Sequence, residues 1–238
     1  SKPYAFTARS WELIHHDTID ITDGVGSNII VDEFGGEVKR ILPRINEDIN
    51  QEWISDKARF CYDGLINQRL DKPFIRNNKA KLQACNWDKA LSKFQDYLTV
   101  FKKEDIAVIA GALSDVETMY VAKDLFNSYG IYNLDCRFNG SSYDTKSRAD
   151  YLFNASINGI DQVDKILIIG CDPKREATLV NARIRQRWLT GEMKIATMCT
   201  PSNLTYSSTH FGNDISLLND SNFLKKVNDF FKGSKFPM

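Results

Sequence analysis

From Asn86 onward, apolar stretches of strand length alternate with amphipathic stretches of helix length. This alternation restricts the chain to a parallel, helix-flanked sheet. Asn86 is placed to cap a helix in which Trp87, Leu91, Phe94, Leu98 and Phe101 recur on one face, a stripe read as core packing. Asp105 to Gly111 is expected as a buried strand, a helix capped by Ser114 or Asp115 follows through Phe126, and residues 131–134 supply a second strand. Tyr143 to Phe153 reads as a weaker helix and Lys165 to Gly170 as the clearest strand. Leu179 to Leu189 is a basic helix, Lys194 to Met198 a further strand, and Phe223 to Phe231 a last amphipathic helix.

The N-terminal part is different. Trp11 to Ile14 and Thr18 to Ile21 read as short strands, and Ile29, Val31 and Val38 flank a Gly35-Gly36 hairpin turn. Arg69 to Arg76, containing Pro73, is expected to be extended. The fold class is therefore α/β: a small β-rich domain over residues 1–76, then a Rossmann-like domain with a helix-flanked, mainly parallel sheet over 77–238. A chain of 238 residues with 42% hydrophobic side chains can bury a substantial core. Net charge is zero with no basic block, so composition makes no case for nucleic acid. No apolar run approaches the ~20 residues that span a bilayer, and the N-terminus lacks the layout of a secretory signal.

One loop has a distinctive spacing. Asp20-x2-Asp23-x3-Ser27, followed after 27 residues by Ser55, has the layout of a loop that holds a 4Fe–4S cluster, with every thiolate missing. Soft, sulfide-bridged iron prefers thiolates, whereas carboxylates and hydroxyls are hard donors. Gly24 and Gly26 suit a backbone that residues with side chains resist. The five cysteines (Cys61, Cys85, Cys136, Cys171, Cys199) are scattered and form no Cys-x2-Cys pair. They are expected as reduced, mostly buried thiols in a reducing compartment, with ligand duty left open for Cys136 and Cys171. His15 and His16 are adjacent on a strand, so their rings point to opposite faces, and His210 is isolated. Arg183, Arg185 and Arg187 are expected to meet solvent or a neighbouring acidic surface. Asp20 and Asp23 form a carboxylate pair with no legible nucleophile or acid beside it. The turns Gly111 to Ser114 and Gly170 to Glu176 follow strands, where open α/β sheets bind ligands, but neither completes a phosphate-wrapping pattern.

The runs Asp23-Gly-Val-Gly-Ser-Asn28, Arg40-Ile-Leu-Pro-Arg44, Asn46-Glu-Asp-Ile-Asn50 and Glu52-Trp-Ile-Ser-Asp-Lys57, with Arg69 to Arg76 beyond them, carry a family resemblance. They resemble the N-terminal region of the molybdopterin oxidoreductases, in which a Cys-x2-Cys-Gly-Val-Gly-Cys loop and a later Cys-x-Lys-Gly-Arg-Phe motif hold a cluster. Asp20, Asp23, Ser27 and Ser55 stand where that family has its four cysteines, and Lys57 where it has its cluster-adjacent lysine. Within the superfamily the chain, including its opening Ser1 to Glu12, is similar to the branch that keeps this fold without the cluster. That branch is the large iron–sulfur subunit family of respiratory complex I, the proton-pumping NADH:quinone oxidoreductase. The resemblance covers the whole chain and is strongest over residues 1–80.

The resemblance implies a non-catalytic scaffold that shields a cluster-bearing region and docks against other peripheral-arm subunits of complex I. Electrons would pass from NADH toward quinone through 2Fe–2S and 4Fe–4S clusters elsewhere in the full-length subunit, mainly in a preceding ferredoxin-like region. With Ser1 in place of an initiator methionine, the chain is expected to be an excised piece. It is placed peripherally on the cytoplasmic face of a bacterial inner membrane or the matrix side of a mitochondrial one, without insertion. The family's equivalents of the Gly111 and Gly170 turns contact a pterin dinucleotide, and Asp172 stands where asparagine is common. Ser141 falls near the family's metal-binding position, on a poor match that ordinary turn chemistry explains. No catalytic, cofactor-binding or metal-ligating residue is assigned. The alternative is a molybdopterin-dependent, formate dehydrogenase-like domain without its cluster, and a third reading is a freestanding nucleotide-binding module. The cysteine-free loop speaks against the former, and the incomplete phosphate turns against both.

Overall fold

A computed structural model describes residues 2–137, 140, 142 and 146–238. Its N-terminal elements are β1 (Ile14–Ile19), β2 (Asn28–Phe34), β3 (Glu37–Pro43) and the short helix α1 (Asp56–Phe60). Next come β4 (Phe74–Arg76), β5 (Leu82–Ala84), α2 (Trp87–Val100), β6 (Ala107–Ile109), α3 (Val116–Ser128) and β7 (Asn133–Asp135). The remainder comprises β8 (Lys165–Ile169), α4 (Pro173–Glu176), α5 (Thr178–Leu189), β9 (Lys194–Met198), β10 (Thr209–Gly212) and α6 (Ser221–Phe231). No helix among the described residues is long and apolar enough to cross a membrane.

Contacts group the chain into two units, residues 1–62 with 145–238 and residues 63–144. This grouping differs from a division at residue 76; Glu47 and Asp48, just after the N-terminal sheet, bond to Arg183 and Asn158 far along the chain. In the first unit, β1, β2 and β3 form an antiparallel sheet. Gly35 (φ +65°) and Gly36 (φ +81°) both adopt the left-handed conformation, which a two-residue turn between right-twisted strands requires. Ile29, Ile41, Ile54 and Ala58 fill the space between this sheet and α1. The segment Trp11 to Ile14, expected as a strand, is instead a 3-10 turn (Ser10–Glu12) leading into a single strand at Ile14.

The other sheet of this unit is parallel, in the order β10-β9-β8. Residues 236–238 run beside the free edge of β8. The Met238 N–H donates to the Lys165 carbonyl at 2.9 Å, and the Leu167 N–H donates to the Met238 carbonyl at 2.9 Å. Ile166, Ile168, Ile184, Met193, Ile195 and Leu204 form its core, closed by Ile160 and Val163.

In the second unit β4 and β5 form an antiparallel hairpin, and α3 joins the parallel pair β6 and β7. The expected buried strand at 105–111 is only three residues long, with Ala107 and Ile109 exposed. The stripe on α2 is also not a core. No residue of that helix is buried, Trp87 being 67% and Phe94 42% exposed, although Phe94 meets Phe126 edge-on at 6.2 Å. The chain is thus a mixed α/β protein, with four separate sheets among the described residues. The expected helix at 143–153 begins partly outside the described residues, and its described part holds only a 3-10 turn at Arg148–Asp150.

Candidate functional site

The loop between β1 and β2 is closed by the side chains that stand in the expected cluster positions. Asp20 is buried; its N–H donates to the Ser27 carbonyl at 2.8 Å, tying the two ends of the loop together. Asp20 Oδ1 accepts the Thr22 N–H at 2.9 Å and the Thr22 hydroxyl at 2.7 Å. Asp23 Oδ1 accepts the Val25 N–H at 3.0 Å. Both are Asx turns, the local bonding that makes aspartate a turn former. Gly26 takes φ +69°, so the loop needs glycine there for its backbone, whereas Gly24 has an ordinary φ. Ser55 Oγ accepts the Ala58 N–H at 3.1 Å and caps α1. Lys57 Nζ reaches back to the Thr22 carbonyl at 2.7 Å, so α1 is bound to the loop.

Asn50 organises the surrounding backbone, and sequence reading did not single it out. Its Oδ1 accepts the Asn28 N–H at 3.0 Å, and its Nδ2 donates to the carbonyls of Arg44 at 3.0 Å and Trp53 at 3.1 Å. A buried asparagine that serves three segments leaves no local sequence pattern. His15 and His16 do diverge, His15 Nδ1 meeting Asp32 Oδ1 and His16 Nε2 lying 3.4 Å from Glu33 Oε2.

The two strand-to-helix turns are closed by their own carboxylates. After β8, Gly170 takes φ +68° and Asp172 Oδ1 accepts the Lys174 N–H at 3.1 Å; the Asp172 N–H donates to Glu176 Oε1 at 2.7 Å. After β6, Asp115 Oδ1 accepts the Thr118 N–H at 2.6 Å, which holds that carboxyl below the usual carboxylate range.

The basic helix α5 corrects an expectation. Arg183 is 5% exposed, not solvent-facing, and it binds Asp161 with two bonds and the Glu47 carbonyl with a third. Arg187 donates to the Val163 carbonyl at 3.0 Å and Arg185 to that of Thr205 at 2.8 Å. The thiols also differ from expectation: Cys199 alone is buried, while Cys61 and Cys136 are exposed. Burial pushes the Cys171 and Cys199 thiols up, away from the thiolate form that binds metal. No group of three or more metal-binding side chains occurs among the described residues. Ser141 lies outside them.

A family model described as molybdopterin oxidoreductase matches residues 69–231, and one described as NADH-ubiquinone oxidoreductase NDSU1/NuoG-like, 4Fe-4S domain, matches residues 13–63. The chain belongs to the molybdopterin oxidoreductase family. Within it, the similarity runs to the large iron–sulfur subunit of NADH–quinone oxidoreductase. It is 44% identical over 214 residues to NADH dehydrogenase (ubiquinone) iron-sulfur protein 1, mitochondrial, of Solanum tuberosum, covering 90% of this chain and 29% of that protein. It is 42% identical over 239 residues to the NADH-quinone oxidoreductase G-type subunit of Rickettsia bellii (100% and 35%). To the counterpart from Rickettsia conorii it is 45% identical over 220 residues (92% and 33%). The chain therefore spans about a third of the length of these relatives.

Neither cofactor of the wider family fits the residues present. At the four cluster positions the side chains offer only oxygen, and the Ser55 hydroxyl and one oxygen of each aspartate are already engaged by the chain itself. A pterin dinucleotide would need the N–H groups of the strand-end turns for its phosphates. Asp115, Asp172 and Glu176 occupy N–H groups at those turns and add negative charge there.

Proposed function

We propose that this chain is the non-catalytic scaffold portion of a complex I large iron–sulfur subunit. In the full-length subunit, electrons move from NADH toward quinone through 2Fe–2S and 4Fe–4S clusters held outside this chain. The chain shields the cluster-bearing region and docks against other peripheral-arm subunits, on the cytoplasmic or matrix side of the membrane and without entering it. In that assembly its α/β part contributes to a helix-flanked, mainly parallel sheet of the family type. It has no catalytic, cofactor-binding or metal-ligating residue of its own.

The observation that carries this reading is the closure of the 20–27 loop by Asp20 and Asp23, with Ser55 spent on capping α1. A cluster-binding backbone is retained, and its ligand positions do structural work in place of ligation. Anaerobic reconstitution with iron and sulfide should leave the protein colourless, and a stable, stoichiometric cluster absorbance would overturn the reading. With artificial acceptors and added pterin cofactor, the chain should oxidise neither NADH nor formate. Formate oxidation would assign it instead to the molybdopterin-dependent enzymes.

A further inference from the structure

In the unit 63–144, the β4–β5 hairpin and the first turns of α2 enclose a cleft of about 710 Å³, a volume within the usual range for small-molecule sites. Its charge is one-sided. Arg76, Lys79, Lys89 and Lys93 line it, and Asp96 is the single carboxylate among the lining residues. None of the four cations has an ion-pair partner among the described residues. The chain as a whole has zero net charge, whereas the lining of this cleft is positive.

The hairpin tip is fixed, which places part of this charge. Asn77 Oδ1 accepts the N–H groups of Lys79 at 2.9 Å and Lys81 at 3.0 Å, and Arg76 Nη1 donates to the Ala80 carbonyl at 2.7 Å. The Arg76 guanidinium is thereby anchored through one nitrogen, while Lys93 lies over the Tyr97 ring at 4.9 Å. Ile75 and Ala84 add apolar surface beside the charges. A cleft rich in cations and poor in carboxylates complements a compact polyanion, and one arginine with several lysines suits phosphate oxygens. The apolar wall gives an attached organic group somewhere to rest.

We propose that this cleft binds a phosphorylated small molecule of the nucleoside di- or triphosphate class, gripped through its phosphates. Its lining shares no residue with the strand-end turns, whose own carboxylates repel such a ligand.

The test is isothermal titration calorimetry of the full 238-residue chain with inorganic pyrophosphate and with ADP. Both should bind saturably at one site at low salt, ADP more tightly, and both should weaken as salt rises. The double substitution Lys89→Glu/Lys93→Glu should weaken both by roughly tenfold or more, with the circular dichroism spectrum unchanged. If that variant misfolds, Lys89→Gln/Lys93→Gln is read in its place. The proposal is overturned by the absence of saturable binding at low salt, or by affinity that neither variant changes. It is also overturned if an oligoglutamate peptide or anionic phospholipid vesicles displace pyrophosphate at equal charge concentration, since the cleft would then be a general acidic-surface contact.

Discussion

Arg40 on β3 faces Asp32 on β2, its Nε donating to Asp32 Oδ2 at 2.5 Å, while His15 on β1 meets the other oxygen of the same carboxylate. One fully buried aspartate thus binds all three strands of the N-terminal sheet, and Arg40 stacks on the Tyr4 ring at 4.5 Å. Asp32→Ala should cost about 2–3 kcal/mol in urea unfolding, because it leaves the Arg40 guanidinium without its partner. Asp32→Asn, which keeps an acceptor but not the charge, should cost less. Equal stability of wild type and Asp32→Ala would show that the row contributes nothing net.

The two glycines of the β1–β2 loop should respond differently to substitution. Gly26→Ala forces a side chain into the left-handed region and should cost about 1 kcal/mol. Gly24→Ala meets open space at an ordinary φ and should be neutral or slightly stabilising. Thermal melts of the two variants side by side decide the matter, and a larger loss at Gly24 would contradict the loop geometry.

Arg183→Met should destabilise the unit by roughly 2 kcal/mol, a value kept modest because Asp161 is half exposed. Arg183→Lys should recover only part of this, since an ammonium cannot reproduce the two-pronged pairing with Asp161. Hydrogen exchange should report faster opening of residues 45–53 in both variants, because the Glu47 carbonyl loses its donor.

Asp164 provides a pH dependence. The Ser234 hydroxyl and the Lys235 and Phe236 N–H groups hold its carboxyl below the usual carboxylate range. A carboxyl whose folded value is depressed stabilises the fold above its unfolded value, near 4, and that contribution is lost as pH falls through the folded value. Exchange protection of residues 234–238 should therefore be intact at neutral pH and fall away in acid. Asp164→Asn should weaken it at neutral pH and change little in acid, where the wild-type carboxyl has itself lost its charge. A tail equally protected at both extremes would refute this assignment.

Much of the local structure was legible because its determinants lie close together in sequence. Gly35-Gly36 forced the hairpin, and Asn86 and Asp115 cap α2 and α3 with side-chain bonds three residues on. The spacing of Asp20, Asp23, Ser27 and Ser55 marked the loop before its bonds were visible. What escaped depends on distant partners. Arg183 looked like a surface charge because its Glu47 contact lies 136 residues away. The α2 stripe has a helix period whether or not anything covers it, so periodicity identified the face and overstated its burial. The strand at 107–109 is short because its partner, β7, offers only three residues to pair with.

The self-bonded loop also bears on how the protein is made. A polypeptide whose fold is organised by a metal centre reaches its final shape only after loading, and its yield follows the supply of that metal. Here Thr22 and Val25 find their acceptors within two residues, and Lys57 fastens the result from the neighbouring helix. The loop can therefore take its final bonds without waiting for a cluster to be built and delivered. Iron starvation during expression should leave the yield of the folded 238-residue chain unchanged.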